Sequence, residues 1–373
     1  MANTTTTTKA AAAQSTRDRI KKLVEQNSKQ NMGQSDPNLA QGDPMDPHAK
    51  YFTAPRDDNP PEIGMVRLSS LVGDSWKLGR TLDPWVKVFD GLDNVPERDP
   101  HYLPNQHALV ELAFAFQSPV RCNVWMEGDP SVGKTSLGKF FAAITGRPFH
   151  RINFTADDTS DTIFGTQDLK DGNTEYHLGD IPLAMQEDHA IIVFDEPTFC
   201  PSEGQTLLQE ALEPDGVLKL KNKPGPMQDR VIRWGFDVHN LMCDNTVGTG
   251  DSTGMYNNAQ QQNRAWLDRV NRFVHVDWLA PADESEMLLG RFPDMTQDLA
   301  TKIVDVASAL RNGFRNEDLS VICSMRVTQS WSEIACQMRN PFKGFELAFL
   351  NRLDDKSERE AAKEIFRNHF GVM

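Results

Sequence analysis

The stretch GDPSVGKT, residues 128–135, decides how this chain is read. It fits G-x-x-x-x-G-K-[ST], a loop that wraps backbone N–H groups around a phosphate chain. Gly128 and Gly133 permit the wrapping because they carry no side chain. Asp129, Pro130, Ser131 and Val132 fill the loop, and Lys134 is spaced to reach the β- and γ-phosphates as a point charge. The Thr135 hydroxyl is placed to ligate Mg²⁺, with Ser136 next along the chain. The flanks suit the motif. The run CNVWM at 122–126 reads as a buried strand. Leu137, Phe140, Phe141 and Ile144 then form a helical stripe that stops at Gly146. Strand, glycine loop and helix together predict ATP binding.

Composition narrows the classes. The chain has 373 residues, with 53 acidic against 39 basic and a formal charge of −14. A duplex-binding protein normally carries a basic stripe, so nucleic acid is disfavoured as the main partner. Cys122, Cys200, Cys243, Cys323 and Cys336 form no C-x-x-C pair and read as reduced thiols, predicting a cytoplasmic protein. No run approaches a membrane span. The nine histidines form no zinc-binding pattern, so no zinc site is expected.

Along the chain, residues 1–58 are low in complexity and rich in Thr, Pro, Asp and Gly, which predicts a disordered tail. Residues 59–100 regain apolar content and are expected to fold or dock, without an assigned role. A helix is expected over 102–117. Strands are then expected at 149–154, 190–194, 238–243 and 273–278, alternating with helices. That alternation predicts an α/β fold over 101–279, a parallel sheet covered on both faces. Beyond residue 280 the strand signals stop. Asp283 with Glu286 resembles a capping box. Three helical patterns follow, through Ile303, Ala307 and Leu310, then Val327, Trp331, Ile334 and Met338, then Ala362, Ile365, Phe366 and His369. Residues 280–373 are therefore expected to form a small helical lid.

The run IIVFDE at 191–196 ends a buried strand in two carboxylates, at the sheet edge where ligands bind in parallel sheets. Asp195 is expected to hold Mg²⁺, the Walker B task that complements the Walker A loop. Glu196 is expected to orient and deprotonate the attacking water, a group that binding alone would not need. Asn245 ends another expected strand, where it either helps place that water or is simply a loop asparagine. Arg269 and Arg272 are both candidates for an arginine finger reaching a neighbouring subunit's γ-phosphate, or for surface ion pairs.

The order of GDPSVGKT, IIVFDE, DNTVGTGDSTGMYNNAQQQNRAWLDR (244–269) and SMRVTQSWSEIA (324–335) resembles AAA+ ATPases of the MoxR and chelatase branch. Within it the likeness is greatest to the CobS group, the AAA+ subunits of aerobic cobaltochelatases, and covers residue 87 to the C-terminus. The resemblance implies that Asn245 is the sensor-1 residue, Arg269 the arginine finger and Arg326 the sensor-2 arginine of the lid. It implies a helix-2 insert over 162–184 and a Lys-bearing hairpin over 216–234. It also implies a homo-oligomeric ring, usually a hexamer, working with a partner that carries a von Willebrand A domain. The sequence departs from the family in reading MCDNT before sensor 1 and S-M-R at the lid arginine. The functions expected are therefore a CobS-type remodelling motor, a MoxR-like chaperone with a non-cobalamin (for example viral) role, or, less favoured, a nucleic-acid translocase.

Overall fold

The computed structural model describes residues 64–79, 82–155, 158–170, 173–246 and 264–371. The expected disordered tail, the turn at Asp171-Gly172 and most of the segment that carries the family likeness (247–263) lie outside them.

The described chain opens with β1 (Met65–Arg67), α1 (Leu68–Val72) and β2 (Trp85–Lys87), β1 and β2 pairing antiparallel with Val66 opposite Val86. Val66, Leu68, Leu71 and Val86 are buried in the same cluster as Leu109, Phe140 and Phe141, so this segment packs into the main core. Helix α2 (Gln106–Ala115) follows, its first turn capped by the Asn105 side chain accepting from the Ala108 N–H. Then come β3 (Asn123–Glu127), α3 (Lys134–Thr145), β4 (Phe149–Asn153) and α4 (Ser160–Phe164). A hairpin of β5 (Gly165–Lys170) and β6 (Asn173–Leu178) leads to α5 (Asp180–Met185), β7 (Ile191–Asp195) and α6 (Ser202–Ala211). A small hairpin, β8 (Leu218–Lys219) with β9 (Val231–Ile232), precedes β10 (His239–Cys243), α7 (Arg264–Leu267) and β11 (Arg272–His275).

Five of these strands form one parallel sheet in the order β11-β3-β10-β7-β4. The inner strands β7 and β10 are buried along their whole length because both faces are covered, whereas the outer strands β4 and β11 carry charged and exposed residues. Alternate residues go to opposite cores: Ile191, Val193 and Leu241 pack with α2 and α3, whereas Ile192, Phe194 and Met242 pack with α5 and α6. The expected strands at 190–194 and 238–243 are therefore present, and the one expected over 273–278 ends at His275.

After the sheet come α8 (Pro281–Arg291), α9 (Gln297–Arg315), α10 (Met325–Met338), α11 (Pro341–Ala348) and α12 (Lys356–Phe370), which share a separate core around Trp331, Phe345 and Phe366. The three expected helical patterns lie on α9, α10 and α12. Helix α11 was not expected; Asn340 caps it, Pro341 starts it, and Gly344 lets it press against the Trp331 ring. The expected capping box is overturned. Pro341 has a counterpart in Pro281, which occupies the first helical turn of α8, so Ala280 is the N-cap with no side-chain bond. Asp283 and Glu286 instead bind the Lys77 ammonium, tying α8 to the N-terminal segment. Among the described residues no helix is long and apolar enough to cross a membrane.

Behind the sheet, at its N-terminal edge, Arg147 donates to Asp237 across 2.8 Å with side chains only 2% and 10% exposed. Arg147 also donates to the carbonyls of His189 and Asp237, both at 3.0 Å. His239 is buried, which lowers its pKa and keeps it neutral; its Nδ1 accepts from the Cys122 N–H and its Nε2 meets Asp237. Burial alone would raise the Asp237 pKa, yet the His239 bond and the Arg147 charge outweigh it and hold the carboxyl well below the usual range. A depressed carboxylate contributes stability above its unfolded pKa of about 3.9, and loses it as pH falls toward the folded value. Asp237→Asn should therefore lower unfolding free energy at pH 7 by roughly 3–5 kcal/mol, because a buried guanidinium is left uncompensated. In urea melts that deficit should narrow below about pH 4; a deficit independent of pH would count against the ion pair as its source.

Candidate functional site

The C-terminal ends of β3, β7 and β10 meet at one cleft, because parallel pairing sets Cys243 level with both Asp195 and Met126. The glycine loop leaves β3 there. Gly128 has φ 152°, and a Cβ on it would sit inside the Val276 carbonyl oxygen, so only glycine fits between the loop and the chain leaving β11. Ser131 (φ 63°) and Gly133 (φ 101°) supply further left-handed turns before α3 begins at Lys134.

Lys134 is buried, and desolvation lowers its pKa against the opposing charges of Asp244, Asp195 and Asp129. Its ammonium donates to the Gly128 carbonyl at 2.7 Å, the Asp129 carbonyl at 3.1 Å and Asn245 Oδ1 at 2.9 Å. The Asn245 side chain thus faces the loop lysine. Asp244, its neighbour, is buried and its pKa is raised by that burial. Thr135 Oγ1 donates to the Asp195 carboxylate at 3.2 and 3.3 Å. Glu196 takes a left-handed backbone conformation (φ 53°, ψ 52°), uncommon for a non-glycine residue, and its N–H donates to the Cys243 carbonyl at 2.9 Å. Cys243 itself lines the cleft, its thiol pushed up to about 12 by burial and so protonated.

The cleft holds about 450 Å³ and is lined by several parts of the chain. The loop contributes Pro130, Ser131, Gly133, Lys134, Thr135 and Ser136; the sheet edge contributes Asp195, Glu196 and Asn245; the lid helices contribute Met287, Arg291, Met325 and Arg326. Val132 turns away into the core, and the Asp129 side chain accepts from Trp278 Nε1 at 2.9 Å and Arg315 at 3.2 Å. Arg269 and Arg272 are not brought to this cleft. Arg269 pairs with Glu213 at 2.7 Å and donates to the Gln209 carbonyl at 2.8 Å, while exposed Arg272 donates to the Asn271 carbonyl at 2.9 Å.

Sequence reasoning missed several contributors. Arg151 on β4 donates its Nε to Asp195 at 2.7 Å. Glu97, Asp99 and Tyr102 line the cleft from the segment before α2, and Asp99 pairs across it with Arg291 of α8. Arg291 in turn meets Gln329 at 3.1 Å. Arg151 lies in the strand FHRIN, and only the pairing of β4 with β7 brings it to the carboxylate.

The donor set has a clear chemical character. Among the described residues no three His, Cys, Asp or Glu side chains gather to hold a metal. Thr135 Oγ1 and the Asp195 carboxylate are hard oxygen donors already within hydrogen-bond distance of each other. Two such donors suit Mg²⁺, which takes few protein ligands and completes its shell with water and phosphate.

Several known proteins are similar to this chain. The family described as AAA domain (dynein-related subfamily) matches residues 123–229. The aerobic cobaltochelatase subunit CobS of a Sinorhizobium species is 30% identical over 286 residues, covering 74% of this chain and 83% of CobS. The chaperone MoxR1 of Mycobacterium tuberculosis is 24% identical over 189 residues, covering 51% of this chain and 45% of its own. Among solved structures, the Thermotoga maritima RuvB Holliday junction branch migration motor aligns with a TM-score of 0.43 at 14% identity, over 68% of this chain and 72% of that one. The parallel sheet, the glycine loop and the extended likeness to CobS together make this chain a member of the AAA+ ATPases, in the MoxR and chelatase branch.

Proposed function

We propose that this chain is an ATP-hydrolysing motor of CobS type, acting as a homo-oligomeric ring, with a hexamer as the expected size, to remodel a partner protein. The observation that carries the reading is the convergence of Lys134, Thr135, Asp195, Glu196, Asn245 and Arg326 on one cleft. In this reading Lys134 leaves its loop carbonyls to bind the β- and γ-phosphates, and the loop N–H groups hold the rest of the phosphate chain. Thr135 and Asp195 would hold Mg²⁺, which when bound neutralises charge on the phosphate oxygens. Glu196 accepts the proton of the attacking water, and Asn245 orients that water once Lys134 has moved to phosphate. Arg326 reaches the nucleotide from the lid and so couples the lid's position to its phosphorylation state.

Arg269 lies outside its own chain's cleft, bound at the C-terminal end of α6. That position fits a finger offered to the next subunit, with Arg272 as the other candidate. The likeness to CobS supports a partner with a von Willebrand A domain and, in the narrowest form, cobalt insertion into a corrin ring within a cobaltochelatase complex, in the cytoplasm. The likeness to MoxR1 supports a second reading, the same motor serving as a chaperone. A nucleic-acid role is disfavoured by the acidic balance, and Lys219 of the small hairpin is already paired with Glu210.

Lys134→Ala should abolish nucleotide binding in a fluorescent-ATP titration. Glu196→Gln should keep binding and lose on the order of 10²-fold or more in turnover. Arg269→Ala should bind nucleotide like the parent and lose roughly 10³-fold in turnover, partly restored when mixed with Lys134→Ala subunits that retain Arg269. Equal loss of binding in the Lys134 and Arg269 variants would sink the shared-site reading. Capture of an A-domain protein by the Glu196→Gln variant with ATP would identify the partner, and recovery of self-association alone would argue against a remodelling motor.

A further inference from the structure

Asp195 has two claimants. Its side chain is only 11% exposed and accepts from Thr135 on one side. On the other, Arg151 Nε donates to Oδ2 at 2.7 Å, and Arg151 Nη2 closes on the same oxygen. A buried carboxylate without a counter-charge is costly, so one cation must stand beside it. Both Arg151 nitrogens close on Oδ2, so a divalent metal drawn to that oxygen meets a like-charged guanidinium, and the two cations repel.

The position of Arg151 suits an exchange. It stands on β4, which among the described residues is an edge strand of the sheet. Its partner across the ladder is Val193, two residues before Asp195, so its side chain has to lean along the strand to reach the carboxylate. The side chain is 52% exposed and lines the cleft, so it is free to leave without unpacking the core. By contrast Arg147, four residues earlier, is 2% exposed and held by three bonds. The two arginines have different duties: one is a fixed part of the fold, the other sits on a surface with room to swing.

We propose that Arg151 is a positioning residue that serves as the resident counter-ion of Asp195 and is displaced when Mg²⁺ arrives with the nucleotide, so that Arg151 sets the magnesium threshold for nucleotide binding. This rests on the reading of Asp195 as a magnesium ligand. Without Arg151, Asp195 loses that counter-charge and takes the metal at lower concentration. With Arg151, the carboxylate is neutralised and correctly aimed when the site is empty, and metal-free nucleotide gains little from it.

The test is a titration of full-length protein with a fluorescent ATP analogue, first in EDTA and then across MgCl2 concentrations. Arg151→Ala should reach half-saturation at about tenfold lower Mg²⁺ than the parent. Arg151→Lys, which keeps a charge on a flexible stem, should lie between the parent and the alanine variant. An unchanged or higher threshold in Arg151→Ala would overturn the proposal, as would loss of binding in EDTA, which would make Arg151 a nucleotide contact. If the parent protein shows no dependence on Mg²⁺ at all, the assignment of Asp195 fails first, and the displacement idea falls with it. A normal response in the parent with no shift in the variant isolates the failure to Arg151.

Discussion

Everything at the cleft depends on the register of the parallel strands. Asp195 on β7 stands level with Cys243 on β10 and Asn153 on β4, and Cys243 stands level with Met126 at the end of β3. Side chains alternate between faces along a strand, so a slip of one residue would exchange Asp195 with the buried Phe194. The slip is opposed by both cores at once, since Ile191 and Val193 fill one face and Ile192 and Phe194 the other. The carboxylates therefore owe their position to apolar packing on either side. No polar contact within the cleft would be strong enough to impose it.

A second dependence joins the lid to the loop. Glu284 on α8 and Arg311 on α9 form a fully buried two-bond pair at 2.7 and 2.8 Å, and Thr328 on α10 donates to the same carboxylate at 2.9 Å. Such a pair adds little net stability over apolar residues, but its bonds have fixed directions and so orient three helices relative to one another. The same guanidinium lies 4.0 Å above the Trp278 ring, and Trp278 Nε1 donates to Asp129 in the glycine loop. Arg315, one turn further along α9, also reaches Asp129 and Asp277. The lid is thus fastened to the phosphate loop through side chains that do not themselves line the cleft.

What could be read in the sequence was whatever a local pattern encodes. Gly128, Gly133, Lys134 and Thr135 are specified by spacing, and the run ending in Asp195 and Glu196 by its apolar lead. The strands and the longer lid helices carried periodicity, and α9, α10 and α12 lie where it pointed. Contacts between distant segments left no such trace. Arg151 meets Asp195 only because β4 and β7 are neighbours in the sheet, and Asp99 meets Arg291 only because the lid folds back over the N-terminal segment. Helix α11 is short and follows α10 with a two-residue break, so its apolar positions merge with those of its neighbour. Asp283 and Glu286 had the spacing of a cap, but Pro281 two residues earlier begins the helix, and the carboxylates turn to Lys77 instead. Spacing names possible partners; packing chooses among them.

Trp278 has a consequence of a different kind. Of the seven tryptophans in the chain, it is bonded at one edge to the phosphate loop and covered on its face by a cation from the lid. Trp125, Trp266 and Trp331, by comparison, are sealed in the cores. An indole between a carboxylate and a guanidinium emits at a wavelength and intensity governed by those two charges. The protein therefore carries, at the joint between its two halves, its own optical gauge of their relative motion.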